Sequence, residues 1–504
     1  MRRSVCFSGM PMSLLVIEVP PDTPVLVGVA AVQDRRDDFQ NSDDALGLMA
    51  LALKNAAADA GDPDLLGRAD EILVPKGMWK YSDPGRLLAD RLGSKSATTG
   101  LAEIGVLQQS LITRACQRIA SGDAQLVLVT GAEARYRSIC AKKAGGVAVE
   151  TTQTDVVPGV VLEPDAELWS PVEAAAGLAM PVGYYAIIDS ALRYKQGITL
   201  EQHRDQMASC YSHYSEIAAA NPDAWSDLAV DASFVRNHSP KNRMLAFPYT
   251  KFHNSQWNVN QGAGLIFCSA AMAAELQIDR SKWVFPLAST EANYMTVTAS
   301  RKDLGGSVGF RVAGEVAMEM AGLSFDDIHL RELYSCFPSA VRVQQEEFGL
   351  EDAGDTSVTG AMTFAGGPLN NFVFQATVKM AHILRRQPAE VGLVTNVSGM
   401  LTKQACALWS ATPNKEGWGF ADVTERVRRE SELCEVVAEY NGEGVVAGYT
   451  VLYEGDQPSR AVAVLDISEG RRTVAYSQDE SLIQAMLEEE CCGKSVTVHD
   501  GQFS

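Results

Sequence analysis

Gly122-Asp123-Ala124-Gln125-Leu126-Val127-Leu128-Val129-Thr130-Gly131-Ala132-Glu133 decides the fold, because its pattern returns as Gln387-Pro388-Ala389-Glu390-Val391-Gly392-Leu393-Val394-Thr395-Asn396-Val397-Ser398. Each stretch is a polar turn followed by a short run rich in Leu and Val, the signature of a strand buried on both faces. The strands are placed at Gln125–Thr130 and Glu390–Thr395, and a helix precedes each, Gly105–Ala120 in one case and Phe374–Arg386 in the other. Further outward, residues 56–73 and 317–333 match again. A helix stops at Gly61 or Gly322, a polar link follows, and strands are predicted at Glu71–Val74 and His329–Leu333. Val25–Val32 and Trp283–Ser289 open the two series as strands, followed by helices at Asp44–Ala60 and Phe310–Met320. The same order in both series predicts a duplicated, layered α/β fold.

Between the halves, residues 136–243 carry Pro158, Pro164, Pro171 and Pro181 and a polar helix near Leu200–Ala220, which reads as an inserted loop domain. After the linker Thr412–Gly419 the texture changes to short alternating segments. Strands are expected at Cys434–Tyr440, Val445–Tyr453, Arg460–Asp466, Arg472–Ala475 and Ser495–His499, separated by Asn441-Gly442, Gly455-Asp456 and Glu469-Gly470. This predicts a small antiparallel, OB-like β-barrel over 420–504. The expected boundaries are an N-terminal extension at 1–23, one half at 24–135 and 244–280, and the other at 281–412. Arg2, Arg3 and the short apolar stretch Met12–Val19 read as a frayed or mis-started N-terminus, since Glu18 interrupts the run.

At 504 residues the chain is expected to divide into about three units of ~100–200 residues. A formal charge of −20 argues against nucleic-acid binding, which needs clustered Lys and Arg. No apolar run reaches the ~20 residues of a membrane helix. Ten scattered cysteines and seven His show no ligand spacing, so no metal is expected, and reduced thiols suit a cytoplasmic protein.

Four further strings appear in order. They are Arg118–Ala134 (RIASGDAQLVLVTGAEA), Phe247–Ser269 (FPYTKFHNSQWNVNQGAGLIFCS), Glu332–Phe337 (ELYSCF) and Ala365–Asn371 (AGGPLNN). Together with the duplication they resemble the thiolase superfamily, above all the sterol-carrier-protein type and its actinobacterial thiolase-like "acetyl-CoA acetyltransferase" relatives, over residues 24–412. The resemblance implies a five-layer α/β/α/β/α thiolase fold with coenzyme A or an acyl-CoA as ligand. It also implies a place in lipid metabolism and a homo-oligomer as the default assembly.

Thiolase chemistry needs a cysteine to carry the acyl group, a base to activate it and a second acid/base at the α-carbon. In the family the nucleophile opens the helix that ends in Gly-Asp-Ala. Counting back sixteen residues from Ser121 lands on Gly105, and no cysteine occurs from Phe7 to Ala115. The Gly-His-Pro histidine corresponds to Gly367, and the second cysteine to Asn396. The expectation is a protein without the Cys/His/Cys machinery, with Ser335, Cys336, Gly366, Gly367 and Asn396 lining an acyl-CoA site. Gly131 and Gly399 would help to thin its roof, though they are equally turn glycines.

Tyr334 stands where relatives place a group that positions water, so a second reading is an acyl-CoA C–C lyase of retro-aldolase type. Tyr334, Tyr249 and His253 would then move protons. Each also has a plainer reading as packing or structure. Cys116 reads as a buried helical thiol, Cys336 as a structural thiol, and Lys251 as a phosphate contact or a surface lysine. A third reading is a scaffold whose β-domain docks an acyl-CoA-processing partner.

Overall fold

The computed structural model describes residues 19–504 except 167, 169, 352, 353 and 416. Most of the expected N-terminal extension lies outside the described residues. The first sheet is built from β1 (Pro24–Gln33), β2 (Glu71–Pro75), β3 (Thr98–Ala102), β4 (Leu126–Ala134), β5 (Val160–Leu162) and β8 (Asn260–Ser269). Its order is β1-β8-β4-β2-β3-β5. The second sheet contains β9 (Phe285–Ala292), β10 (Leu330–Glu332), β11 (Val391–Ser398), β12 (Lys403–Ser410) and β13 (Gly419–Asp422), in the order β10-β11-β12-β9-β13.

The duplication is visible in the ladders. Read from their first strands, the sheets run β1-β8-β4-β2 and β9-β12-β11-β10. In both, the first two pairings are antiparallel and the third is parallel. The helices Gln108–Ala120 and Phe372–Arg386 pack against both sheets and form the middle layer. Ala45–Ala60 covers the outer face of the first sheet and Val308–Ala321 that of the second. This is the five-layer thiolase fold. Close approach is written into small residues: a Cβ on Gly264 would stand 2.8 Å from the backbone carbon of Ala52, in the covering helix. Only glycine lets that helix settle so near the strand.

The halves differ at their edges. Among the described residues β3 has no counterpart strand beside β10. There Leu333 N–H donates to Thr356 O, and the buried Glu332 carboxylate accepts from Ser357 Oγ, Val358 N–H, Thr359 N–H and Thr359 Oγ. A side chain thus satisfies backbone groups that a ladder would otherwise pair. The outer edge of β3 is covered by β5 and that of β9 by β13, both in parallel.

β13 is a departure from the expectation that the barrel begins at 420. Residues 419–422 return to the second sheet, and the helix Thr424–Glu430 follows before the barrel starts. The expected strand Cys434–Tyr440 shrinks to β14 (Glu435–Val436), paired only with β17 (Arg471–Ser477).

The barrel strands are β15 (Gly442–Glu454), β16 (Gln457–Ser468), β17, β18 (Ser495–His499) and β19 (Gln502–Phe503). The ring closes as β15-β16-β17-β19-β18-β15. Its pairings are antiparallel save β17–β19, which is parallel. A helix that the alternation pattern did not foretell, Glu480–Glu488, supplies Ile483 and Met486 to its core. The barrel also takes in strands from far up the chain. β6 (Met244–Ala246) pairs with β15, and β7 (Tyr249–Thr250) pairs with β6. Phe247 joins the barrel core, and its N–H donates to Val451 O. Among the described residues no helix is long and apolar enough to cross a membrane, and no group of His, Cys, Asp and Glu is arranged to hold a metal ion.

Candidate functional site

Asn396 lies on β11 and its side chain reaches into the other half. Its Oδ1 accepts from Gln109 N–H at 3.0 Å, in the first turn of the Gln108–Ala120 helix, and its Nδ2 donates to Val397 O at 3.1 Å. The reciprocal contact comes from Gln108, whose Oε1 accepts from Val373 N–H at 2.8 Å in the first turn of the Phe372–Arg386 helix. Neither helix has a side-chain cap of its own. Each middle-layer helix therefore borrows its cap from across the molecule, and one free N–H at each positive end is already satisfied. Gln108 was not singled out by the sequence. Its only signal there is a polar pair, Gln108-Gln109, opening an amphipathic helix.

Tyr334 is held beside this pair. Its N–H donates to Thr395 Oγ at 2.7 Å, its carbonyl accepts from Gln344 Nε2 at 3.0 Å, and its ring meets Phe372 edge-to-face at 6.0 Å. Burial raises its phenol above the usual range, with the hydroxyl beside Gln108. Ser335 Oγ accepts from Met362 N–H, and Cys336 O accepts from Ser255 N–H. The Cys336 thiol stands beside the Tyr185 hydroxyl, and burial pushes it up to about 12, so it is not a thiolate at neutral pH.

The glycine loop is occupied by its surroundings. A Cβ on Gly367 would fall 1.9 Å from Ser255 Oγ, and one on Gly366 would fall 1.9 Å from Gln261 Oε1. Gly105 has φ +104°, and its Cβ would touch Pro164 at 3.1 Å. Non-glycine residues in the left-handed region flank the site loops: Ala361 and Leu369 around Gly366–Gly367, and Leu401 after β11. A π-helical turn, Ala361–Ala365, leads into the glycines. Such local strain persists only where the surrounding structure holds it.

Tyr249 and His253 belong to a neighbouring packing layer. The Tyr249 hydroxyl accepts from Ser339 N–H at 3.1 Å and donates to Tyr185 O at 3.4 Å. His253 Nδ1 accepts from Thr250 N–H at 3.2 Å, which places the remaining proton on Nε2. That atom is buried without a partner among the described residues. Burial pulls the imidazole down to about 3, so it is neutral at physiological pH. Their hydrogen bonds go to these neighbours and none goes to the Tyr334–Asn396 group. Cys116 is wholly buried, and Lys251 is exposed.

A buried carboxyl, Glu133, stands next to the end of β4 and accepts from Met78 N–H at 2.8 Å. Burial, with the like charge of Glu150 behind it, pushes it up to about 7. The native state therefore binds a proton that the unfolded chain, at about 4.3, has released. Its contribution is fully present below about pH 4.5 and lost as pH rises through 7. Glu133→Gln keeps the acceptor and removes the titration. The gain of the variant over wild type in urea unfolding should grow from pH 5 to pH 8 by up to about 3 kcal/mol. A difference that does not change with pH would refute the assignment.

Fold and site together describe a thiolase-fold body with a fused barrel and no titratable side chain at Gly105, Gly367 or Asn396. Residues 422–502 match the family described as "Thiolase-like protein type 1 additional C-terminal domain". Over nearly its whole length the chain is similar to a monomeric SCP2-thiolase like protein type 1 from Mycobacterium smegmatis. That similarity covers 96% of this chain and 99% of that one at TM-score 0.79, with 24% identity. The Ltp2-ChsH2(DUF35) aldolase shares the body, with TM-score 0.59 and 17% identity over 77% of this chain and 98% of that one. In sequence, an acetyl-CoA acetyltransferase of Methanocaldococcus jannaschii is 28% identical over 271 residues, 53% of this chain. The match spans 61% of that relative's length. Identities this low to the solved structures establish the fold alone.

Proposed function

We propose that the protein is a thiolase-like acyl-CoA-binding protein of cytoplasmic lipid metabolism that does not carry out thiolysis or Claisen condensation. The observation that carries this reading is the cross-capping of the middle helices. Asn396 and Gln108 satisfy N–H groups at the two positive helix ends that would otherwise face a thioester oxygen. Ser255 fills the volume of a Gly367 side chain, so the site is closed to a histidine as well as lacking one. A CoA thioester would meet Ser335, Cys336, Gly366, Gly367 and Asn396, of which Cys336 is the most accessible to solvent. The sequence relative named for acetyl-CoA supports the ligand class.

Calorimetric titration with CoA and acetyl-CoA tests the ligand, and incubation with acetoacetyl-CoA and CoA tests the chemistry. We expect binding without thiolysis above the uncatalysed rate and no acylated cysteine in the intact mass. An acyl-enzyme would sink the reading.

A second reading, C–C cleavage of a β-hydroxyacyl-CoA, draws on Tyr334, the one candidate tyrosine linked directly to the Thr395–Asn396 strand. The fold neighbour described as an aldolase makes it worth testing. Release of aldehyde or ketone, cut at least about 100-fold by Tyr334→Phe, would establish it. Unchanged release in that variant would exclude Tyr334 as the proton carrier. If neither CoA binding nor turnover is seen, the scaffold for an acyl-CoA-processing partner is left standing.

A further inference from the structure

The junction between body and barrel holds a cavity of about 870 Å³, the size of a small-molecule site, and none of the candidate acyl-CoA residues lines it. Arg301 stands on its wall. Every other Lys or Arg there meets a carboxylate: Lys195 pairs with Asp303, Lys302 with Glu432, Arg311 with Glu430 and Arg472 with Asp466. Arg301 forms no ion pair among the described residues, and Glu173 acts on it only from beyond ion-pair distance. Its Nη1 donates to Leu401 O and its Nη2 to Thr298 Oγ and Met400 O, while Nε is buried without a partner. Gln404, 3% exposed, reaches the same Leu401 carbonyl through Nε2, and its Oε1 also has no partner. A half-buried charge without a counter-ion is costly, and buried polar atoms are rarely left unpaired. The wall's one carboxylate outside those pairs, Glu347, accepts from Ser307 N–H, and burial raises it toward the neutral form.

Beside the cation the wall is apolar. Arg301 and Leu433 face each other across an antiparallel bridge, flanked by Cys434 N–H to Ser300 O and Lys302 N–H to Glu432 O, so their side chains leave the same face. Leu433 is 44% exposed, and Val445, on the barrel strand β15, is 40% exposed. Both line the cavity, and the buried Leu304 and Val427 extend the apolar surface inward.

We propose that this cavity binds an amphipathic carboxylate, its head on Arg301 and its apolar chain along Leu433 and Val445. One unpaired cation suits a monoanion better than a phosphate monoester, which carries a charge of about −1.5 to −2 at neutral pH. Burial of the chain against Leu433 and Val445 supplies the rest of the affinity.

Calorimetric titration of the full chain with decanoate at pH 7 tests the site. Decanoate should bind one to one, and decanol and decyl phosphate at least about tenfold more weakly. No decanoate binding, equal binding of decanol, or tighter binding of decyl phosphate would each overturn the proposal. Leu433→Asp should weaken decanoate about tenfold or more, whereas Leu228→Asp, at an exposed leucine outside the cavity, should leave it unchanged. Arg301→Gln should abolish binding. Since Arg301 also ties Met400 and Leu401, the exposed Leu433 position decides the matter if that variant does not fold. Saturating CoA should not alter the decanoate affinity. Competition would place the carboxylate in the Tyr334–Asn396 site and overturn the proposal, whereas failure of CoA to bind at all leaves this test intact.

Discussion

Glu490→Ala should destabilise the protein by about 2–4 kcal/mol, the largest effect expected of any single change at the junction between barrel and body. Arg193, on the helix Pro181–Gln196, is fully buried, and Glu490 receives it in a forked pair, Nε to Oε2 at 3.0 Å and Nη2 to Oε1 at 3.1 Å. Arg193 Nη2 also donates to the Tyr449 hydroxyl on β15, and Glu490 accepts from Cys492 N–H. Removing the carboxylate strands a buried guanidinium whose Nη1 already has no partner among the described residues. The range sits below that of a fully buried pair because the Glu490 side chain keeps 33% of its surface in water. Arg193→Met should cost less, since it leaves only a half-solvated carboxylate and refills the volume. Urea unfolding of both singles and the double variant gives the coupling energy. A coupling near zero would show that burial of the arginine stem, and not the ion pair, joins barrel to body.

Restoring the family's side chains should fail to restore its chemistry. Gly105→Cys places a side chain at φ +104° against Pro164, and should cost about 1–3 kcal/mol. Gly367→His must displace Ser255, an overpacking of about 1–3 kcal/mol. Asn396→Cys removes the cap on Gln109 N–H, worth about 1 kcal/mol. The combined variant is expected to be strongly destabilised and to release no acetyl-CoA from acetoacetyl-CoA and CoA. Acetyl transfer to the thiol introduced by Gly105→Cys, at a measurable rate, would show that the space around Gly105 is open to an acyl-CoA.

Much of this was legible in the chain. The repeat around Gln125–Thr130 and Glu390–Thr395 located β4 and β11, because a strand buried on both faces must be apolar at successive positions. Gly61 and Gly322 marked helix ends because each takes a left-handed conformation there. Glycine at 105 and 367 and asparagine at 396 are plain in the chain, as identities. The spaces around those residues could not be read. Ser255 and Pro164, which fill them, stand far from them in sequence. β13 was hidden in a Pro/Gly/Asn-rich stretch, since four residues are too few to show a period. The helix Glu480–Glu488 is masked in the sequence by the short alternating segments around it, although Asp479 caps it and Ile483 and Met486 share one face.

By itself, then, the sequence determined the two α/β halves, the change to a β-rich tail and the identities of Gly105, Gly367 and Asn396. These follow from local periodicity, turn residues and side-chain identity. Tertiary structure alone decided that Asn396 caps the helix Gln108–Ala120 and Gln108 the helix Phe372–Arg386, and that β5 and β13 cover the sheet edges. It also decided that β6 and β7 enter the barrel, that Arg193 finds Glu490, and that Lys403 ends on Gly105. Each of these joins residues far apart in the chain, and such contacts are chosen by which buried polar groups the finished packing leaves in need of a partner.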